Sequence, residues 1–330
     1  MSKETSFPMV RKKLVIHAGL PKTGTSALQE LLLSHSERLL EEGIWYPDWF
    51  PSPTETFHRF FINELRHEPA LVQTEKLLAQ ADQSNVQTLL LSIEGVTLHA
   101  DHLDPVAGER FAVLSTDWDV EIFVVLRSTE KWLVSLYRQC VIHPPIRNRP
   151  SHIEMLYATG LTYGDFATRD HVRALCDREK IAARFAKIFP EADVQFLEYG
   201  PDFISNFTDR AGLSELVDAS AAPRANTTLP EPYLEVIRQV NAKSSSWSVH
   251  RLVRAVISRA TGGGNVHMAL YEAKLTGGLR QRVAAVMLWG MLSIMRFQSN
   301  PPLKVNAAEF DQARRIIRTQ VAAMIFSRSR

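Results

Sequence analysis

The stretch Leu14-Val-Ile-His-Ala-Gly-Leu-Pro-Lys-Thr-Gly-Thr-Ser-Ala-Leu-Gln-Glu-Leu-Leu-Leu33 contains, in this order, an apolar run, a loop with two glycines and a run of helix-forming residues. The apolar run 14–18 includes a β-branched pair, which favours a strand. The segment 27–33 carries leucines at helical spacing, which favours a helix. The stretch therefore predicts a strand, a tight loop and a helix in succession, the repeating unit of a parallel α/β sheet.

The loop has the composition of an anion site, because Gly19 and Gly24 bracket four residues and Thr25 and Ser26 follow. In such a loop, backbone N–H groups converge on an anion at a helix N-terminus, where the helix dipole also favours negative charge. The nucleotide-hydrolase pattern G-x-x-x-x-G-K-[ST] places a lysine directly after the second glycine, whereas this chain has Lys22 in mid-loop. A lysine there would lie beside the first phosphate and its leaving oxygen rather than beside β- and γ-phosphates. The loop therefore predicts a site for a donor without a β/γ-phosphate chain.

Two later apolar segments predict further strands of the same sheet. Residues 88–94 and 121–127 are apolar almost throughout and end in polar side chains, as buried parallel strands do. Ligands of open parallel sheets bind beyond the carboxyl ends of the strands. We therefore expect Ser92, Glu94 and Arg127 beside the loop.

Two residues are candidates for a general base. Glu94 is the first, because a carboxylate at the end of a strand can take the proton of an attacking hydroxyl. The alternative is that Glu94 orders the loop 95–106 or binds Lys22. The second candidate, His58, follows the proline-rich loop 47–57 and would face an acceptor there, although a lone histidine is more often structural.

A second anion contact is predicted where the strand 121–127 passes into the next helix. Arg127 ends the strand, and cap-type residues at 128 and 129 start a helix that carries Ser135 eight residues later. A guanidinium and a hydroxyl in this arrangement suit a phosphate group.

Both features resemble PAPS-dependent sulfotransferases, in which PAPS is 3′-phosphoadenosine 5′-phosphosulfate. Pro21-Lys-Thr-Gly-Thr-Ser26 resembles the loop that holds the 5′-phosphosulfate, and the arginine–serine pair resembles the site for the 3′-phosphate. The resemblance covers about residues 12–241 and is closest to bacterial, carbohydrate-sulfotransferase-like members. It implies that the donor-binding residues are Pro21, Lys22, Thr23, Gly24, Thr25, Ser26, Arg127 and Ser135.

The resemblance also implies a fold and a reaction. The fold is a central parallel sheet flanked by helices, related to P-loop-containing nucleoside triphosphate hydrolases. The reaction moves the sulfuryl group of PAPS to a hydroxyl or amine and leaves 3′-phosphoadenosine 5′-phosphate (PAP), with Lys22, Glu94 and His58 as candidate catalytic residues. A metal is not expected, because the strand 88–94 lacks an aspartate at the place where hydrolases bind magnesium.

The chain is expected to form a single domain over 12–330, with the core at about 12–241 and a helical extension at about 242–330. The extension contains a basic amphipathic segment, 244–260, and two more predicted helices, 278–297 and 307–327. Residues 222–330 hold 16 Lys/Arg and 5 Asp/Glu, which leaves 22 and 31 for the rest, so the two parts have opposite net charges. Such asymmetry is found in proteins with an anionic partner and in proteins with a solvated basic face.

The sequence indicates a cytoplasmic protein, and association with a membrane is an open alternative. Residues 1–13 lack an apolar signal segment, and the longest apolar stretch, 283–295, is too short to span a bilayer. The expected partners are PAPS and an acceptor, a glycan or a lipid-linked glycan, and no nucleic acid is expected. Trp45, Tyr46 and Trp49 are candidate platforms for sugar rings, although such aromatics more often belong to the core.

Two other functions fit the sequence less well. One is a P-loop kinase or nucleotide hydrolase with a degenerate loop, for which ATP and magnesium would be the ligands. The other is a non-catalytic protein on the same fold that binds a polyanion or a membrane surface through the basic C-terminal third.

Overall fold

The computed structural model describes residues 11–49, 58–67, 71–93, 95–99, 105–146, 154–222, 229–261, 279–298 and 301–326. The chain divides into two compact units, the first formed by residues 1–128 and 174–225 and the second by residues 129–173 and 226–330. The expectation of a single domain, with its core at 12–241, stays a prediction.

The first unit contains a five-stranded sheet in which all strands are parallel. The strands are β1 (Lys12–Gly19), β2 (Ile44–Trp45), β3 (Thr88–Ser92), β4 (Trp118–Leu126) and β5 (Asp193–Glu198). Their order in the sheet is β2-β3-β1-β4-β5. The predicted class, an α/β fold with a parallel central sheet flanked by helices, is confirmed at this level of detail.

Helices connect the strands of the first unit and make up the regular structure of the second. They are α1 (Thr25–Ser34), α2 (Ser36–Glu41), α3 (Arg59–His67), α4 (Val72–Asp82), α5 (Val96–His99), α6 (Pro105–Leu114), α7 (Thr129–Ile142), α8 (Tyr163–Ala167), α9 (Asp170–Ala174), α10 (Arg178–Ile188), α11 (Phe203–Arg210), α12 (Glu231–Lys243), α13 (Trp247–Ala260), α14 (Leu279–Ile294) and α15 (Ala307–Phe326). No helix within these described ranges is long and apolar enough to cross a membrane.

Strand β1 lies in the middle of the sheet and brings the loop that follows it to the centre of the carboxyl edge. Its last six residues are buried, as expected for a strand covered on both faces. His17 pairs with Ser92 of β3, and Gly19 pairs with Val125 of β4. On one face, α1 and α11 cover β1 with apolar side chains that include Leu28, Leu32, Phe203 and Phe207.

The second unit is helical over its described residues. Helix α12 packs against α7, α13 and α15, and α14 packs against α13 and α15. The expected basic amphipathic helix 244–260 exists as α13, but it is buried around most of its circumference. Arg254 on this helix is fully buried, so it lies away from any solvent-facing basic surface.

One predicted helix is divided in two. The helix-forming residues of 171–188 predict a single helix, whereas the chain forms α9 and α10 with a break between them. The break occurs because Asp177 caps α10: its carboxylate accepts hydrogen bonds from the backbone N–H groups of Glu179 and Lys180 at 3.1 and 3.2 Å. Aspartate is a preferred N-cap residue, so the sequence carried this signal.

Candidate functional site

The loop between β1 and α1 has the tight form that the sequence predicts. Lys22 and Gly24 have φ angles of 69° and 72°, which are left-handed conformations. For a lysine this conformation costs about 1–2 kcal/mol, and such strain is typical of functional loops. Gly24 is the N-cap residue of α1, so the cap position itself offers no side-chain acceptor to the N–H groups of the first turn.

Both glycines of the loop are required by close packing. A Cβ atom on Gly19 would lie 2.2 Å from Cγ2 of Thr25, and one on Gly24 would lie 2.5 Å from Cε2 of Tyr199. The side chains of Thr23 and Thr25 are buried, and the Thr23 hydroxyl donates a hydrogen bond to the Leu20 carbonyl at 2.5 Å. These two threonines can therefore offer an anion their backbone N–H groups more readily than their side chains.

The remaining predicted loop residues differ in exposure. Pro21 is buried, Lys22 is half-buried and Ser26 is exposed. Lys22 and Ser26 can therefore reach a ligand with their side chains, whereas Pro21 shapes the loop.

Arg127 lies directly after β4 and contacts the loop. Its Nη1 donates to the Lys22 carbonyl at 3.3 Å, and its guanidinium carbon lies 5.2 Å from the centre of the Tyr199 ring. The arginine thus reaches the loop as the sequence predicts. Ser135 is half-buried on α7, which belongs to the second unit, and its pairing with Arg127 stays a prediction.

Beneath the loop lies a buried polar group that we call the floor cluster, formed by His17, Gln29, Tyr46 and Ser92. Nδ1 of His17 lies 2.8 Å from Oγ of Ser92, and the amide of Gln29 donates to the same oxygen at 3.1 Å. The Tyr46 hydroxyl also forms a hydrogen bond with the Ser92 side chain. Burial lowers the pKa of His17 to about 3 and raises the pKa of Tyr46, so both side chains are neutral near pH 7.

Sequence reasoning missed the floor cluster. The available signal was a histidine within the otherwise apolar strand 14–18, because a buried polar side chain needs a partner.

His58 occupies a structural position. It is fully buried, and its Nδ1 accepts a hydrogen bond from the Ser92 N–H at 2.9 Å. Its Nε2 lies 2.8 Å from the Pro47 carbonyl, to which it donates. Burial lowers the pKa of His58 to about 4. Because both ring nitrogens bind backbone groups, His58 joins the segment after β2 to β3, and the structural interpretation is favoured over that of a base.

Glu94 lies outside the described residues, and its role as a base stays a prediction. The described residues on either side bind the end of β1. The N–H of Ile93 donates to the His17 carbonyl at 2.8 Å, and the N–H of Gly95 donates to the Gly19 carbonyl at 3.3 Å.

Three buried side-chain atoms at the carboxyl edge have no hydrogen-bond partner among the described residues. They are Nε2 of His17 on β1, Oγ1 of Thr97 after β3 and Nε of Arg127 after β4. These three strands are neighbours in the sheet. An unpaired buried polar atom costs about 1–3 kcal/mol, so such a group at one edge is typical of a binding site.

The three aromatic candidates for sugar platforms have different surroundings. Tyr46 is buried and its ring lies against His58, so it belongs to the core. Trp45 and Trp49 are half-buried and pack edge to face with their ring centres 6.3 Å apart. Trp49 also lines an open groove of about 730 Å³ along α4, together with Gln73, Lys76, Ala79, Gln80 and Gln83.

Comparison with known proteins gave no match: no protein-family model, curated protein or solved structure is significantly similar to this chain. Among the described residues, no three His, Cys, Asp or Glu side chains come together as metal ligands.

Proposed function

We propose that this protein is a sulfotransferase that moves the sulfuryl group of PAPS to a hydroxyl or amine of an acceptor. The observation that carries the proposal is the loop after β1, with its lysine in mid-loop and Arg127 bound to the carbonyl of that lysine. The loop follows the central strand of a sheet with the order β2-β3-β1-β4-β5, and the chain continues to opposite sides of that strand. Crevices at such points are where open α/β sheets bind their ligands.

Different residues bind different groups of the donor. The backbone N–H groups of residues 22–26 and the dipole of α1 bind the 5′-phosphate. Arg127 binds the 3′-phosphate, which distinguishes PAPS from other adenylates. The ammonium group of Lys22 lies close to the phosphate oxygen that becomes negative in the reaction, and it stabilises that charge.

The chemical step is an in-line displacement at sulfur. The acceptor oxygen forms a bond to sulfur while the bond between sulfur and the 5′-phosphate oxygen breaks. The bonding electron pair stays on that oxygen, so PAP leaves with an additional negative charge beside Lys22. The base takes the proton of the acceptor. We assign this role to Glu94 rather than His58, because both ring nitrogens of His58 bind backbone groups.

We propose a glycan or a lipid-linked glycan as the acceptor and the cytoplasm as the location. The groove beside Trp49 supports a sugar, because an aromatic ring with amide and lysine side chains around it offers stacking and hydrogen bonds to a pyranose. Contact with an anionic membrane surface would use the exposed arginines of the C-terminal third and not Arg254, which is buried.

The identity of the donor is tested by measuring which nucleotides bind the protein. We expect PAP to raise the melting temperature of the protein more than AMP does, since AMP lacks the 3′-phosphate. Arg127→Ala should remove the difference between PAP and AMP. The matched control, Arg110→Ala, removes an exposed arginine that pairs with Glu75 at 3.0 Å and should keep the difference. A larger shift with ATP and magnesium than with PAP would instead favour a kinase or hydrolase.

The reaction is tested by an assay for transfer of labelled sulfate. The protein is incubated with ³⁵S-labelled PAPS and an extract of its host, and the lipid, glycan and small-molecule fractions are separated. We expect label in the glycan or lipid fraction. Label in a small molecule alone would refute the glycan acceptor, and PAP binding without any transfer would favour a non-catalytic protein.

A further inference from the structure

The floor cluster contains a buried side chain that is held at one end and unpaired at the other. His17 is fully buried between β1 and α11, where its ring lies 5.4 Å from the ring of Phe207 and 6.3 Å from that of Phe203. Its Nδ1 is bound to Ser92, whereas its Nε2 has no partner in the described part of the chain. A buried polar atom without a partner calls for an explanation, and a bound ligand that supplies the partner is one.

The unpaired nitrogen points at the underside of the loop. Nε2 of His17 lies 3.5 Å from the point at which a Cβ atom of Gly19 would stand. The same point is 3.2 Å from Oγ1 of Thr23 and 2.2 Å from Cγ2 of Thr25. Because Gly19 has no side chain, the imidazole lies directly beneath the loop, beside the hydroxyl of Thr23 and the methyl group of Thr25.

The hydrogen bonds of the floor cluster decide which nitrogen of His17 carries the proton. Ser92 Oγ accepts from the amide of Gln29. Tyr46 stays protonated, since burial raises its pKa, and it is hydrogen-bonded to Ser92. A phenol is a better donor than an aliphatic hydroxyl, which favours Tyr46 as the donor of that bond. Both lone pairs of the Ser92 oxygen are then used, and its own proton goes to Nδ1 of His17. The neutral imidazole therefore carries its proton on Nε2, as a donor directed at the loop.

We propose that the Nε2–H of His17 is a binding donor for the anion held in the loop, which it reaches from the side of the sheet while the backbone N–H groups bind from the side of the helix. The chemistry recognised is a phosphate or sulfate oxygen. The identification of this anion with the phosphosulfate of PAPS rests on the proposed function. Ser92, Gln29 and Tyr46 are positioning residues that fix the tautomer of His17.

This arrangement gives the loop a neutral donor in addition to the charge of Lys22. A neutral donor binds the anion without adding a second positive charge in the apolar interior, where an unpaired charge would be costly before the anion arrives. It also ties the anion site to β3, because the same Ser92 that holds His17 is bound through its backbone by His58.

The experiment uses the full chain labelled with ¹⁵N-histidine, titrated with PAP and separately with inorganic phosphate. The Nε2 resonance of His17 is identified by its loss in His17→Phe. We expect the free protein to show a protonated Nε2 and an unprotonated Nδ1, and saturating anion to shift the Nε2 resonance. His17→Phe should weaken PAP binding by about 10- to 100-fold, the range for a hydrogen bond to a charged group, without lowering the midpoint of unfolding. The control His35→Gln, at the end of α1, should keep the PAP affinity.

Ser92→Ala provides a measurement that would not change if His17 had only a structural role. Without the serine proton, the tautomer of His17 is no longer fixed, so the ¹⁵N signatures of the two nitrogens should move toward each other, and PAP should bind more weakly. A His17 resonance that stays unchanged while PAP binds would overturn the inference and leave the proposed function standing. A shift with phosphate but no binding of PAP would support the inference and refute the proposed donor. If neither anion perturbs His17, the inference is wrong.

Discussion

The floor cluster of the first unit has a counterpart in the second, which we call the Arg254 cluster and which consists of Arg254, Asn241 and His250. Arg254 is fully buried, and its guanidinium donates to the carbonyls of His250 at 2.7 Å, Val141 at 2.9 Å and His143 at 3.0 Å, and also to that of Ile142. The His250 carbonyl belongs to α13 itself, whereas the carbonyls of Val141, Ile142 and His143 lie at the end of α7. Helix carbonyls there are left without intrahelical partners and carry partial negative charge.

Asn241 completes this second cluster. Its amide donates to the carbonyls of Val141 at 2.9 Å and Thr159 at 3.2 Å, and its Oδ1 lies 2.9 Å from Nδ1 of His250. Each cluster thus contains a buried histidine and an amide side chain. The donors of Arg254 and the amide of Asn241 bind backbone carbonyls of their own unit, whereas the floor cluster ends in a ring nitrogen without a partner among the described residues. The difference separates a group that stabilises a fold from one prepared for a ligand.

The largest effect is expected for Arg254→Met. The methionine fills much of the space but leaves the carbonyls at the end of α7 buried and unpaired, so the free energy of unfolding should fall by about 3–5 kcal/mol in a urea titration. Arg259→Met on the same helix is the control: Arg259 is exposed, and the change should be within about 0.5 kcal/mol. A loss below about 1 kcal/mol for Arg254→Met would remove the contrast between the two clusters.

A comparable effect, on activity instead of stability, is expected at Lys22. Lys22→Ala should lower kcat by about 10²–10³-fold and change PAP affinity little, because the ammonium group acts on charge that develops during transfer. Lys22→Gly separates the side chain from the backbone, since glycine adopts the φ of 69° without strain. Its kcat should fall as far, while its stability equals or exceeds that of Lys22→Ala. Unchanged kcat in both variants would exclude Lys22 from the mechanism.

The sequence predicted what depends on local patterns and missed what depends on distant partners. Strands β1, β3 and β4 are continuous apolar runs, and the loop after β1 has glycines where packing against Thr25 and Tyr199 excludes a side chain. The partner of His17, however, lies 75 residues away on another strand. A basic residue on an amphipathic pattern was expected at the surface, yet Arg254 is buried because the end of α7, more than 110 residues away, needs donors. The contacts of His58 with Pro47 and Ser92 were equally beyond a local pattern.

The smallest effect concerns acid, and it tests the two buried histidines against each other. Burial lowers the pKa of His17 to about 3, and burial together with the charge of Arg254 lowers that of His250 to about 4, against 6.5 for an ordinary histidine. The folded state therefore resists protonation. Each histidine leaves stability unaffected above about pH 6.5 and reduces it by about 1.4 kcal/mol per pH unit as the pH falls toward the folded pKa.

An anion in the loop should alter this acid response at His17 and leave it unchanged at His250. A bound phosphate favours the protonated form of a histidine that donates to it and raises its folded pKa, so saturating PAP should make the loss of stability between about pH 5 and 3 shallower. His250 lies beside the cation Arg254 and keeps its slope. PAP has titrating phosphates of its own, and their contribution is removed by comparison with His17→Phe, which binds the same ligand without the imidazole. We expect PAP to change the slope more in the wild type than in His17→Phe. An equal change in both proteins would mean that His17, like His250, serves only the fold and does not contact the anion.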